Sequence, residues 1–353
     1  MIRSTDKKWR VFRAWSGGHP VWCSWQVTYR CHFRCRFCHY WHDPAGRQPE
    51  PTVEQYALGA KKLAAWGSIL VSLAGGEPLL RPDLPDIVAA IARYHLPFVT
   101  TNGWLVTPQV ARDLMQAGTW GVSVSIDYAT PDRHDRRRGM GGAWEQAWRA
   151  VEMLAAARLH GWQRVNVIAV LMDDNLDDLD ALAEMAAQRG AYFMVQPYSR
   201  LKTGSAAYAH NDGPVAPRLL ELHRRRANFL SNPYYLRNFD RYLQGGVPGC
   251  QAGRGFFNVD STGDVAICVE RRAAPLANLY RDGVQTIRQR LREAAKRNRC
   301  MDCWYNCRGE IESLYRPLGF LQSLPTAIFD RGRAPSLRAV RPPTPFLAAR
   351  ERG

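Results

Sequence analysis

Between residues 21 and 198 of this 353-residue chain, short apolar strand patterns alternate with longer helical ones. The strand patterns are "VWCSWQVT" (21–28), "SILVSLA" (68–74), "PFVTT" (97–101), "GVSVSI" (121–126), "RVNVIAVL" (164–171) and "AYFMVQ" (191–196). Helical periodicity follows the first five of them, at 52–66, 84–94, 108–117, 143–159 and 176–189, and a Thr52/Gln55 capping pair opens the first. Repeated strand, helix, strand units require a parallel sheet, because each parallel pairing needs a long crossover. Without the glycine fingerprint of a dinucleotide fold, six such units predict an α/β chain wound as a barrel or partial barrel.

Such a barrel carries its chemistry on the loops at the C-terminal ends of its strands. The unusual polar and glycine residues of this sequence fall there: "YRCHFRCRFCHYW" (29–41), "GGEP" (75–78), "TNG" (101–103), "DYATPDRHDRRRG" (127–139), "MDDN" (172–175) and "PYSR" (197–200). Asn102 belongs to a turn-forming Asn-Gly pair, and Asn175 is read as an N-cap for the helix after it.

The nine cysteines form one cluster near the start and one near the end, with Cys23 left over as a small core residue. No apolar run reaches the roughly 18 residues of a membrane span, and the first residues lack the apolar stretch of a secretory signal. The expected location is therefore the cytoplasm, where clustered cysteines read as metal ligands before disulfides. A net charge of +16 suits an anionic partner, or reflects widely scattered arginines.

Cys31, Cys35 and Cys38 have the spacing C-x3-C-x2-C on one short loop. Structural zinc takes four ligands, usually as two separated pairs, so three thiolates on one loop fit it poorly. An iron–sulfur cubane held by three thiolates keeps one iron open for something else.

With "AGGEP" beyond it, this loop resembles the signature of the radical S-adenosylmethionine (SAM) superfamily, CxxxCxφC with an aromatic at φ, which Phe37 supplies. The resemblance covers roughly residues 21–198 and implies a partial (β/α)6 TIM-like barrel. It implies a 4Fe-4S cluster whose open iron chelates the amino and carboxylate groups of SAM. Reductive cleavage of SAM then yields methionine and a 5′-deoxyadenosyl radical, which takes hydrogen from an unactivated carbon. By the same resemblance Gly75, Gly76 and Glu77 meet the methionine ammonium, Ser125 and Asp127 the ribose, and Arg138 the SAM carboxylate. Phe37 and Tyr40 border the adenine.

Cys250 and Cys268 bracket a hairpin pattern, "FFNVDSTGDVAIC", and Cys300, Cys303 and Cys307 follow in "CMDCWYNC". This resembles the C-terminal extension of SPASM and twitch radical SAM enzymes. Five cysteines are too few for two auxiliary clusters, so the resemblance implies a twitch-like domain with one auxiliary 4Fe-4S cluster. Cys250, Cys268, Cys300 and Cys303 are the first choice of ligands, with Cys307 as the substitute for Cys303 or Cys300; four of the five could instead hold zinc.

The expected organisation is an N-terminal arm (1–20), the barrel (21–200), a helical linker (201–249), the auxiliary domain (250–322) and a basic Pro/Arg-rich tail (323–353). The apolar stretch 314–329, followed by arginines, suggests peripheral membrane contact or a flap over the barrel. A small-molecule, lipid or isoprenoid substrate is the first reading, a peptide or protein the alternative, and nucleic acid is disfavoured. A flavodoxin or ferredoxin is the expected reductant. The competing class is a non-catalytic metal-binding adaptor with two zinc sites.

Overall fold

The computed structural model describes residues 4–316. Helix α1 (Ser4–Ser16) leads into β1 (Trp22–Thr28), and the alternation then runs α2 (Val53–Leu63), β2 (Leu70–Gly75), α3 (Leu84–Ala92), β3 (Leu96–Thr101), α4 (Pro108–Gln116) and β4 (Gly121–Ser125). It continues through α5 (Pro131–Arg138), α6 (Ala143–Ala156), β5 (Arg164–Leu171), α7 (Asp178–Gln188) and β6 (Tyr192–Pro197). All six expected strands form, each parallel to its sequence neighbour, in the order β6-β5-β4-β3-β2-β1. This is the wall of a partial barrel. The Thr52/Gln55 capping box opens α2 as the sequence implies.

The two faces of each strand differ in chemistry. Cys23, Trp25 and Val27 of β1, Val71 and Leu73 of β2, and Val122 and Val124 of β4 are buried in the main core. Trp25 packs with its ring centroid 5.1 Å from that of Tyr56 of α2, the rings tilted by 41°. The alternate residues, Ser24, Gln26, Ser72, Thr100, Ser123 and Asn166, face a cavity of about 870 Å³. Barrels of this kind usually fill their interior with branched aliphatic layers. Small polar side chains at those positions leave a lumen instead.

Beyond β6 come α8 (Ala216–Arg225), α9 (Pro233–Arg237) and α10 (Phe239–Gly245), then β7 (Phe256–Val259), β8 (Asp264–Ala266), β9 (Ala277–Asn278), α11 (Val284–Arg297) and α12 (Asn306–Glu312). The hairpin read from "FFNVDSTGDVAIC" is β7 paired antiparallel with β8. Its placement was not legible in advance: β7 pairs parallel with β1, Trp22 opposite Phe256, so the barrel sheet continues through β7, β8 and β9 to nine strands. On the far side, Phe193 of β6 bridges to Phe229, and the Leu230 N–H bonds back to Phe193 at 2.9 Å. The N-terminal arm includes α1, whose Ala14 is buried with Val21, Ala252, Phe256 and Ile311. The basic tail and nearly all of 314–329 lie outside the described residues, and among the described residues no helix is long and apolar enough to cross a membrane.

Candidate active site

The first cysteine loop leaves β1 and is held by side chains that cap its own carbonyls and by one bond to α5. Arg34 donates to the Cys31 and Phe33 carbonyls at 2.9 and 3.1 Å, Trp41 donates from its indole to the Cys38 carbonyl at 2.9 Å, and the Arg36 N–H bonds the Arg137 carbonyl at the end of α5. Cys31, Cys35 and Cys38 are part-buried and line the lumen together. Burial pushes the Cys31 thiol up to about 11 and the Cys35 thiol up to about 12, while Arg138 pulls both down. Phe37 packs with Tyr128, Met172 and Tyr198, and the Arg138 guanidinium sits 5.6 Å from its ring. Tyr40 lines the lumen two residues past Cys38.

The glycines of "GGEP" answer a steric demand. A Cβ at Gly75, where φ is 136°, would collide with the Thr28 carbonyl oxygen, and one at Gly76 with that of Arg30. Only glycine lets the end of β2 cross this close to the end of β1. The Glu77 side chain is buried and accepts from the Thr101 hydroxyl at 2.7 Å and the Asn102 N–H at 2.8 Å. Burial raises its carboxyl, against the pull of those donors. Gly75, Gly76 and Glu77 all line the lumen.

Ser125 and Arg138 also face the lumen, and Asp127 does not. Asp127 is fully buried behind Arg138, taking Nε and Nη2 of the guanidinium on one oxygen at 2.8 and 2.7 Å and the Val170 N–H on the other at 2.9 Å. Its place is that of a positioning residue, not a wall residue beside a ribose. Arg138 ends α5, a helix read from sequence as a loop because its "PDRHDRRR" has no apolar stripe. Pro131 at its first turn and Gly139 in the left-handed conformation after it were the available signals. Asn175 is not an N-cap: its amide bonds Met172, Asp127 and Val170 of the strand ends.

Four cysteines of the second set converge. Cys250 precedes β7, Cys268 follows β8, and Cys303 and Cys307 flank the start of α12. Burial pushes the Cys303 thiol up to about 12, with Arg308 pulling it down and Cys250 and Cys268 adding to the rise. Burial raises the Cys307 thiol too, helped by Cys303, Cys268 and Cys250. Cys300 is not in this group: its thiol faces the Asp302 carboxylate at 3.4 Å. The convergent set is thus the one in which Cys307 stands in for Cys300. Arg308, fully buried, clamps the set by donating to the Cys303 carbonyl at 2.7 Å, to the Val247 carbonyl, and to Glu312 at 2.8 Å. Glu312 accepts in turn from the Gln251 N–H at 3.1 Å.

Between the two sets lies a polar junction that sequence reasoning missed. Lys202 donates to the Tyr40 hydroxyl at 3.0 Å and pairs with Glu270 at 2.8 Å, and Tyr305 donates to Glu270 at 2.9 Å. Burial alone would lower the Lys202 amine, but Tyr305, Tyr40 and Glu270 carry it above its usual range. Glu270 and Tyr305 each stand two residues after a cysteine of the second set, which was the only trace of the junction in the sequence.

Among the described residues, no three His, Cys, Asp or Glu side chains are gathered to hold a single metal ion. The fit to iron–sulfur chemistry rests on which thiols are neighbours: Cys31, Cys35 and Cys38 line the lumen together, and Cys250, Cys268 and Cys303 lie close enough to Cys307 to act on its thiol. A family model described as the radical SAM superfamily matches residues 25–186. Residues 25–186 thus match a radical SAM domain. The family implies SAM and a 4Fe-4S cluster, and it implies an enzyme.

Among curated relatives, the mycofactocin maturase MftC of Mycobacterium tuberculosis is 28% identical over 258 residues, 70% of this chain and 64% of the maturase. The AdoMet-dependent heme synthase of Methanosarcina barkeri is 32% identical over 177 residues, 49% of this chain and 48% of the synthase. The chain therefore spans less than two thirds of the length of either. Streptococcus suis SuiB, solved bound to its precursor peptide SuiA, superposes with a TM-score of 0.61 at 14% identity, covering 76% of this chain and 64% of SuiB. That likeness concerns the fold alone.

Proposed function

We propose that the chain is a peptide- or protein-modifying radical SAM enzyme with one auxiliary 4Fe-4S cluster. The observation that carries this is a single lumen joining the two cysteine sets, with Cys31, Cys35 and Cys38 on one wall and Cys307 beside Tyr305 on another. Cys31, Cys35 and Cys38 would hold the SAM-binding cluster, and Cys250, Cys268, Cys303 and Cys307 the auxiliary one. Bound there, cluster and SAM supply hydrogen-atom abstraction from an unactivated carbon. Gly75, Gly76 and Glu77 present acceptors to the methionine ammonium, Ser125 faces the ribose, and Phe37 and Tyr40 border the adenine. Arg138, held by Asp127, offers its guanidinium fork to the SAM carboxylate.

The substrate class moves away from the small molecule or lipid first read from the sequence. The named maturase relatives and the peptide-bound structural neighbour support a peptide. The heme synthase relatives support a small molecule as the second reading. The expected reductant is a flavodoxin or ferredoxin. Anaerobically reconstituted protein with dithionite is expected to release 5′-deoxyadenosine from SAM, and Cys38→Ser to lose that release while keeping the iron of the second set. No SAM cleavage by the unaltered protein would overturn the catalytic reading. Peptide products identified by mass change, set against tetrapyrrole products, decide between the two substrates.

A further inference from the structure

The lumen wall is rich in charge, and nearly all of it is already matched. Arg138 pairs with Asp127, Lys202 with Glu270, and Arg226 with Asp180 and Glu184, while Arg164 lies over the Tyr192 ring at 5.9 Å. Glu77 takes donors from the "TNG" turn. Glu310 differs. It lines the lumen from α12, and both its oxygens accept from one donor, the Asn232 backbone N–H, at 3.1 and 3.2 Å. Among the described residues no cation pairs with it.

Its neighbours reinforce the asymmetry. Asn306 lies one helical turn earlier on the same face of α12 and also lines the lumen. It is 7% exposed, its carbonyl accepts from the Tyr235 hydroxyl at 2.9 Å, and its amide nitrogen has no partner. Leu230 and Leu314 line the lumen as well, beside polar Asn232. With burial opposed only by that single N–H, the Glu310 carboxyl is pushed up to about 8. A part-buried carboxyl without a cation is expensive to ionise, and an incoming cation would relieve that cost.

We propose that Glu310, with Asn232 and Asn306, forms a subsite for a cationic group of the substrate, a primary ammonium or a guanidinium. The subsite rests on the reading of the lumen as the substrate chamber, and it gives that substrate a chemical class: a molecule with a basic side chain or amine. Glu310 is one helical turn past Cys307 on the face that carries it, so the cation would be anchored next to the second cysteine set. The reacting carbon would extend toward the first.

The test uses reconstituted full-length protein at pH 8.5, where the carboxyl is largely ionised before any ligand arrives. The probes are acetylated, amidated pentapeptides of glycine with a central lysine, norleucine, arginine or citrulline, and affinity is read by calorimetry. A charged hydrogen bond in a partly buried site is worth roughly 1.5–3 kcal/mol. The lysine or arginine peptide is therefore expected to bind at least about tenfold tighter than its neutral counterpart. Glu310→Gln, shown to fold by its unfolding midpoint and iron content, is expected to erase that gap while leaving the neutral peptides' affinity unchanged. Glu310→Asp, which keeps the charge and retracts it by one methylene, should retain part of the gap and serves if the glutamine variant does not fold. Equal binding of charged and neutral peptides to unaltered protein, or a gap that survives in Glu310→Gln, overturns the subsite. SAM cleavage by the unaltered protein, measured separately, tells that failure from a failure of the radical SAM reading.

Discussion

Arg138 shows how one charge can be aimed by another that touches nothing in the lumen. Its guanidinium is buried and both of its bonds to Asp127 fall on a single oxygen, while the other oxygen is fixed by the Val170 N–H. The ion pair thus carries the geometry of the β5 backbone to the proposed SAM carboxylate site. Asp127→Asn keeps the shape and removes the charge that holds the fork. Its expected effect is about tenfold weaker SAM binding, by equilibrium titration of reconstituted protein, with iron content unchanged. Truncating either partner outright would add a cavity and lost hydrogen bonds to the unpaired charge, so the isosteric change is the informative one. Unaltered SAM affinity in both Asp127→Asn and Arg138→Lys would remove this pair from the SAM site.

At the scale of elements, α12 and the loop before it decide which thiols meet. Arg308 and Glu312, one turn apart, tie the Cys303 carbonyl, the Val247 carbonyl and the Gln251 N–H to one helix, so Cys250, Cys303 and Cys307 are brought together by a single buried ion pair. Cys300 lies outside that clamp. Cys300→Ala is expected to leave the iron content of reconstituted protein unchanged, and Cys307→Ala to lower it by about four irons per chain, one cubane's worth. Loss in Cys300→Ala with none in Cys307→Ala would restore the set first read from the sequence. The sequence made the six barrel strands and the first cysteine loop legible because period-two burial and cysteine spacing are local signals. Helix α5 was illegible because it is anchored by its caps and by Arg133 and Arg137 pairing with acids after β5, without an apolar stripe. The Lys202 junction and Glu310 were illegible for a different reason: they are defined by partners far away in the chain, or by the lack of one, and neither leaves a spacing to find.

For the whole molecule, the decisive fact is that β1 is hydrogen-bonded on both sides, to β2 and to β7. Phe257 of β7 stands opposite Cys23 and packs edge-on against Trp66 at 5.7 Å, in the same core as Trp25 and Leu63. Lys62 of α2 adds three bonds to the carbonyls of Leu279, Tyr280 and Asp282 at 2.9, 2.8 and 3.1 Å. With one sheet and one core spanning both cysteine regions, neither can lose its packing without exposing the other. Phe257→Ala removes a fully buried ring at that seam and should cost about 3–5 kcal/mol. In a molecule of two independent domains, it would shift one melting step and leave the other in place. Here the expected result, by anaerobic calorimetry of the iron-free reduced chain, is a single transition moved down as a unit, with far-ultraviolet circular dichroism and tryptophan fluorescence following the same curve. Two separated transitions, only one of them shifted, would show that the barrel and the second cysteine region are stable apart, and that the continuous sheet does not couple them.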